Sequence, residues 1–501
     1  MARTVHARWI IEGDLRALTP VHVGGETEGN VVDLVPAVDG RGRFYVPGTS
    51  LAGALREWMT RRVLGGEPAV DGLWGFQRSD AGHASFVTVE DAVVALPKGA
   101  SVEVRDGVGI DRVTGAAAPS VKYDRAVLPR DSRLAIRILV DAALADDAAH
   151  VESQVAELVR ALSQGLIRLG AGKTRGLGRV VLENAKVLRQ DLGSRAGMLS
   201  VLRGSPEELR IDELAALPMN PVPMLEVTVD WRSVGPLMVG SGRANLGVDH
   251  LPLVGHTDDG VALVVPGSSV KGVLRANAER IVRTVMASGA QKAEKGDEFR
   301  AQIDVPLVSE LFGATGEGAE DAEWMPGLGA VGIDDAYAHH RADAGDWAKI
   351  EAAATDADVL EGLRTAGLEK STVAYHVAVD RWTGSAADRQ LFTTVEPFAI
   401  EYEPLRISID LDRLSEDSAP AGLGLLLLAL RDLARGSLPL GFGGNRGLGE
   451  IAVDAIRFEG QDLPVDMQEL ATFAWAAPWD LSFAGEIGRA WIEYVEGGDQ
   501  S

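Results

Sequence analysis

LGAGKTRGLGRV occupies residues 169–180, and LGFGGNRGLGEI occupies residues 440–451. The shared frame is L-G-x-G-x-x-R-G-L-G, with Arg175 and Arg446 in register. Glycines at this density would cost a helix or strand about 1 kcal/mol each relative to alanine. The stretch is therefore a loop whose backbone bends tightly or approaches something closely. Each copy follows an apolar, helix-like run (Val151 to Ile167; Leu423 to Leu433) and precedes a strand-like run. A duplicated loop on a duplicated scaffold predicts tandem domains.

Working outward, further pairs appear in the same order. Thr19-Pro-Val-His-Val-Gly-Gly is answered by Gly235-Pro-Leu-Met-Val-Gly-Ser, and Asp33 by Asp249, each shortly before a proline. Val46-Pro-Gly-Thr-Ser-Leu-Ala-Gly-Ala-Leu-Arg56 is answered by Val265-Pro-Gly-Ser-Ser-Val-Lys-Gly-Val-Leu-Arg275, and Leu73-Trp-Gly by Leu311-Phe-Gly. Asp111-Arg-Val-Thr-Gly is answered by Asp380-Arg-Trp-Thr-Gly. The offset between copies is 216 residues at Asp33/Asp249, 219 at Pro47/Pro266, 269 at Asp111/Asp380 and 271 at the glycine loops. Copy two thus carries about fifty extra residues, placed between roughly 285 and 370.

Periodicity orders each copy as strand, helix, strands, helix, strand. In copy one these are Arg8–Leu18, Leu51–Leu64 with Thr49 or Ser50 as N-cap, Phe86–Ala95, Arg133–Val140, Val151–Ile167 and Arg179–Leu188. This is the split β-α-β-β-α-β order of a ferredoxin-like or RNA-recognition fold. The expectation is α+β: a first domain over 1–200, a linker over 201–223, a second domain over 224–460, and a C-terminal extension over 461–501 with Trp475, Trp479 and Trp491.

Composition excludes several classes. The chain has 501 residues, no cysteine and nine histidines without ligand spacing, so no zinc site is expected. No apolar run is long enough to span a membrane, and the start MARTVHARWI lacks a signal-peptide core, so a cytoplasmic protein without a membrane partner is expected. The net charge of −24 opposes a nucleic-acid partner. That charge is uneven: residues 1–200 hold 25 Lys and Arg against 24 Asp and Glu, and the rest of the chain holds 24 against 49.

The glycine loop resembles a phosphate loop, but it lacks the G-x-x-x-x-G-K-(S/T) spacing and follows a helix instead of a strand, so no nucleotide site is expected. Two readings stand: a surface of N–H groups with Lys173, Arg175 and Arg446 that follows a phosphate chain, or a tight helix-to-strand joint. The P-G-(S/T)-S helix start, with Ser50, Ser269, Arg56, Lys271 and Arg275, reads either as an anion site or as an ordinary capped helix. Asp33 and Asp249, in polar loops, read as holders of a divalent cation or of a 2′-hydroxyl, or as solvated turn residues. The D-R-x-T-G segments read as projecting hairpins. Their Arg112 and Arg381 stack on bases or pair with the neighbouring Asp.

Together these motifs resemble the repeat-associated mysterious protein (RAMP) superfamily over about residues 8–190 and 224–460, and each half looks like a backbone subunit of a type III CRISPR effector complex. The resemblance implies RNA-recognition-like palms with thumb hairpins, assembled with other RAMP subunits along a guide RNA. It implies cleavage of complementary target RNA at Asp33 and Asp249 with Mg²⁺ or Mn²⁺. Arg112 and Arg381 become thumb residues, while Lys271, Arg175 and Arg446 become guide-phosphate contacts. A non-catalytic backbone subunit is the alternative. A guide-processing nuclease would want a histidine near the first helix; His22 is the candidate, and Met238 stands at its counterpart. Ala52 at the counterpart of Lys271 departs from the pattern, as do the insertion in copy two and the acidity of the second half.

Overall fold

The computed structural model describes residues 4–25, 32–314, 327–481 and 485–498. Contacts divide the chain into two compact units that do not coincide with the repeats. Unit one holds residues 1–102, 126–173 and 177–222; unit two holds 103–125, 174–176 and 223–501. The first repeat runs β1 (Ala7–Ala17), α1 (Gly48–Arg62), α2 (Gly66–Trp74), the hairpin β2 (Glu103–Ile110) and β3 (Ala117–Val127), β4 (Arg133–Ala142), α3 (Ala148–Ser163) and β5 (Val180–Asp191). The second runs β6 (Met224–Ser233), α4 (Gly267–Val285), α5 (Gly296–Ile303), β7 (Val331–Ile333), the hairpin β8 (Ser371–Val379) and β9 (Ala386–Pro397), β10 (Leu405–Asp410), α6 (Ala419–Ala434) and β11 (Ile451–Gln461).

In unit one, β1 lies between β5 and β4 and is antiparallel to both, with Trp9 opposite Arg189 on one side and Val140 on the other. Short strands Val87–Val89 and Ala92–Ala95 add to the far side of β4. The strand order last–first–third–second is the ferredoxin-like order. Alternation along β1 turns Trp9, Ile11 and Leu15 inward, where they meet the stripe Val151, Val155, Leu158 and Leu162 of α3. In unit two, β6 likewise lies between β11 and β10, and β7 pairs on the outer side of β10. The fold is therefore α+β, two ferredoxin-like domains, as the element order predicts.

The C-terminal extension belongs to unit two. β12 (Ala474–Trp475) pairs with β11, and α7 (Gly485–Gly498) packs on α6, where Gly424 lies against Trp491 and Ile487. This explains why α6 is apolar nearly all round: one face meets the sheet and another meets α7. Of the predicted linker, residues 201–223, all but Pro223 lie in unit one, where Glu207–Leu209 adds an edge strand to β5. No helix among the described residues is long and apolar enough to cross a membrane.

Both motif helices start differently from expectation. Neither Thr49 nor Ser50 is an N-cap; α1 begins at Gly48 after Pro47 and α4 at Gly267 after Pro266, without side-chain caps from either neighbour. Instead a distant carboxylate takes the first N–H: Gly48 N donates to Asp91 Oδ1 at 2.7 Å, and Gly267 N donates to Asp335 Oδ1 at 2.8 Å. A Cβ on Gly48 would collide with the Val89 carbonyl, and one on Gly267 with the Ile333 carbonyl. The Pro-Gly turn is thus fixed by close packing, and the protein's own anion fills the dipole site.

Candidate nucleic-acid interface

In each repeat the glycine loop is stitched to the Thr19/Gly235 segment. Ala171 N donates to His22 O at 2.9 Å and Gly178 N to Pro20 O at 2.8 Å; Phe442 N donates to Met238 O at 2.7 Å and Gly449 N to Pro236 O at 2.8 Å. Gly170, Gly178, Gly441 and Gly449 all have positive φ, and a Cβ on any of them would collide with a carbonyl oxygen. The tight-joint reading accounts for these glycines. Those four amides are spent inside the fold, and the arginines are what the loop presents outward: Arg175 and Arg446 are both exposed.

Around Arg446 several motifs meet. Its guanidinium lies 4.6 Å from the Phe442 ring centre and 5.4 Å from that of Phe392, a residue of β9. His250 sits edge-on to Phe392 at 5.7 Å and tilted to Phe442 at 5.8 Å, while His376 stacks on Phe392 at 5.1 Å. The Asp249 loop is laced to the same strand. His250 N donates to Thr393 O and Val395 N to His250 O, each at 3.1 Å. Asp249 Oδ2 accepts from the Thr393 N–H at 2.7 Å and the Thr393 hydroxyl at 3.0 Å, and Asp249 N donates back to that hydroxyl at 3.0 Å. The loop aspartate, the glycine-loop arginine and the base of the hairpin thus form one half-exposed aromatic and cationic patch within unit two.

The first repeat repeats part of this. Ala126 N donates to Leu34 O at 2.8 Å, the counterpart of the Val395–His250 bond. Arg175 Nη1 donates to Tyr123 Oη at 3.1 Å, and the Arg125 guanidinium lies 5.6 Å from the Tyr123 ring. Burial, with Arg175 adding to it, lowers the Arg125 pKa. At the sequence positions of Phe442 and His250 the first repeat has Ala171 and Leu34, which belong to unit one, whereas Arg175, Tyr123 and Arg125 belong to unit two. Asp33 is exposed, and residues 26–31 that lead into it lie outside the described residues.

Other predicted residues have protein partners. Lys271 is buried and donates from Nζ to Val331 O at 2.7 Å, so it does not meet RNA from this position. Burial, with Arg175 and Arg275 nearby, pushes its pKa down to about 7. Arg56 pairs with buried Asp71 at 2.8 Å, and Arg275 pairs with buried Glu279 at 2.8 Å while also donating to the carbonyls of Gly313 and Ile303. Lys173 pairs with Glu57 at 2.8 Å. Ser50 and Ser269 contribute backbone turns: each N–H donates to the preceding proline carbonyl, at 2.9 Å. Arg112 is bound to Glu279, whereas Arg381 is exposed. His22 is buried, with Nδ1 2.7 Å from Ala126 O, so its ring is not presented to solvent.

Phe392, Phe442, His250, His376 and Tyr123 are functional candidates that motif reading passes over. For Tyr123 and Phe392 the signal is the hairpin offset carried one step further, since 269 residues separate them as they separate Asp111 from Asp380; Phe442 lies inside the glycine-loop motif and His250 next to Asp249. No described group of three or more His, Asp or Glu is arranged to hold a metal ion. Each loop motif supplies one carboxylate, and Asp249 already spends an oxygen on Thr393, so these residues do not by themselves fit a divalent site.

Two ferredoxin-like domains, each with a glycine-loop arginine against a hairpin aromatic, define an RNA-recognition type of architecture. The RAMP superfamily profile matches residues 14–181 and 232–452, one region per repeat. The chain belongs to the RAMP superfamily, and with it to the CRISPR-associated RNA-binding proteins. No curated protein is significantly similar to it.

Proposed function

We propose that this chain is a fused tandem backbone subunit of a type III CRISPR effector, holding guide RNA and the guide–target duplex together with other RAMP chains. The observation that supports it most is the Arg446–Phe442–Phe392–His250 patch. Each nucleobase presents a π-face, and base–aromatic stacking contributes about 1–3 kcal/mol per base without reading sequence. The arginine adds a phosphate partner at the same place. A subunit that follows a guide of any sequence needs that combination.

The test is guide-RNA binding by the full chain. Phe442→Ala and Arg446→Ala are each expected to weaken it about tenfold, whereas Arg43→Ala, on a surface pair with Asp39, leaves it unchanged. Equal binding by all three variants sinks the reading.

Target cleavage is the finer proposal, and it is favoured by Asp249, a carboxylate fixed by Thr393 beside the patch. In this chain its work is to accept a hydrogen bond from a 2′-hydroxyl and hold that group in place. A divalent ion would have to draw most of its ligands from RNA and water. The assembled complex, given guide RNA, labelled complementary RNA and Mg²⁺ or Mn²⁺, decides the matter. Asp33→Ala and Asp249→Ala are each expected to remove a different cut while target binding persists. Uncut RNA with the unmodified chain, or identical cutting by the double variant, makes the chain a scaffold.

A further inference from the structure

The extra residues of the second repeat come in two equal parts. The offset between repeats is 219 residues at Pro47/Pro266, 244 at Asp91/Asp335, which hold the matching helix starts, and 269 at Asp111/Asp380. The first repeat goes directly from the strand Ala92–Ala95 to β2. The second places two helices, Ala344–Glu351 and Asp356–Thr365, between the strand Ala336–Tyr337 and β8. Both helices are firmly built within unit two. Asp343 caps the first, its Oδ1 accepting from the Gly345 N–H at 2.8 Å, and Thr355 caps the second, its Oγ1 accepting from the Asp358 N–H at 3.1 Å. Their apolar faces bury Trp347, Ile350, Val359 and Leu363 in the core.

The turn that joins these helices lies against the loop that carries Asp249. Asn245 Nδ2 donates to Ile350 O at 2.7 Å, a carbonyl in the last turn of the first helix. Asn245 Oδ1 accepts from the N–H groups of Gly247 (2.9 Å) and Val248 (2.7 Å). One side-chain amide thus closes the turn just before Asp249 and ties it to the helices. Gly247 sits so close to the turn that a Cβ there would lie 2.6 Å from the Thr355 carbonyl oxygen and 3.0 Å from Val359. Val248 is buried in the same core, and Arg243 lies 3.6 Å from Glu351. β8 joins the same pair of helices through Tyr375, whose hydroxyl donates to Asp356 Oδ2. In the first repeat Gly29, with no side-chain amide, stands at the sequence position of Asn245, and Val31 at that of Gly247.

We infer that this helix pair braces the Asp249 loop, and that Asn245 is the positioning residue through which the brace acts. This deepens the cleavage reading and rests on it. A carboxylate that orients a 2′-hydroxyl works only from a fixed place, since a displacement of about 1 Å costs about a hundredfold in rate. Thr393 fixes the Asp249 side chain to β9 alone. Asn245 fixes the backbone on the other side, to an element that is capped at its helix starts and buried along its length. The two loop aspartates are therefore unequal: cutting at Asp249 depends on a support that belongs to the second repeat, and cutting at Asp33 does not.

Two variants test the brace. Asn245→Asp keeps an oxygen for the Gly247 and Val248 N–H groups but has no N–H to give Ile350 O. Gly247→Ala adds no charge and pushes the loop off the Thr355 carbonyl. Amide hydrogen exchange of the full chain, without RNA or metal, is expected to quicken about tenfold over residues 245–250 in Asn245→Asp and to stay unchanged in β1 and β6. Unchanged exchange over 245–250 overturns the brace. In the assembled complex with guide RNA and labelled complementary RNA, both variants are expected to slow the cut that Asp249→Ala removes by at least about tenfold. The cut that Asp33→Ala removes keeps its rate, and target binding keeps its affinity. Equal slowing of both cuts would show general damage and overturn the positioning role. If the unmodified chain cuts nothing, the cleavage reading falls and takes that role with it. If it cuts at both places and Asn245→Asp cuts as fast, only this inference falls.

Discussion

Lys271 donates from Nζ to the Val331 carbonyl inside unit two, with Arg175 and Arg275 near enough to oppose its charge. Its pKa, pushed down to about 7, sets a sign for stability. The folded state disfavours the charged amine, and that penalty is full below pH 7. It shrinks as pH rises from about 7 towards the ordinary lysine value, because the unfolded chain then holds more protons than the folded one. Lys271→Met has no such titration. Denaturant unfolding of both proteins should show the unmodified chain gaining stability relative to Lys271→Met between pH 7 and pH 10; parallel curves would disprove it. The two hairpin arginines give a second contrast. Arg112→Ala takes one partner from buried Glu279 and is expected to lower stability by about 1–3 kcal/mol. Arg381→Ala in the isolated chain should change it by no more than about 0.5 kcal/mol, since that side chain makes no ion pair among the described residues.

At the scale of elements, the glycine loops differ from position to position in what glycine is for. A Cβ on Gly178 or Gly449 meets a carbonyl oxygen at positive φ, whereas Gly447 has φ +82° with open space around it. Gly178→Ala and Gly449→Ala should each cost more than about 2 kcal/mol, and Gly447→Ala only about 1 kcal/mol, as thermal unfolding of the three variants would show. The same loops explain how far sequence reading carries. Strand and helix order was legible because the apolar periods of β1 and α3 are local, and the duplication was legible because matched offsets need no structure. The partners of Gly48 and Gly267 were not legible: Asp91 and Asp335 lie 43 and 68 residues downstream in no shared motif. For the same reason Lys271 reads as a surface cation from its helix register, while its burial is decided by β7 packing over it. The patch around Arg446 was half legible. Arg446 and Phe442 stand in the motif and His250 beside Asp249, but Phe392 and His376 come from hairpin strands whose period is weak.

For the whole molecule, a net charge of −24 means that RNA approaches against a repulsive field, so binding must come from a few local cations and from stacking. These two contributions separate in salt. Each phosphate neutralised on a single strand adds about −0.7 to the slope of log K against log salt concentration, while stacking adds nothing to it. Arg446→Ala should therefore make the slope shallower by about 0.7 as well as weaken binding. Phe442→Ala should weaken binding by a similar amount and leave the slope where it was. The acidic second half predicts a shallow slope overall, of about −2 to −4, because only a few arginines such as Arg175 and Arg446 stand outward from the glycine loops. A steep slope in the unmodified chain, or one that Phe442→Ala reduces as much as Arg446→Ala does, would show that RNA is held along a different, more basic surface.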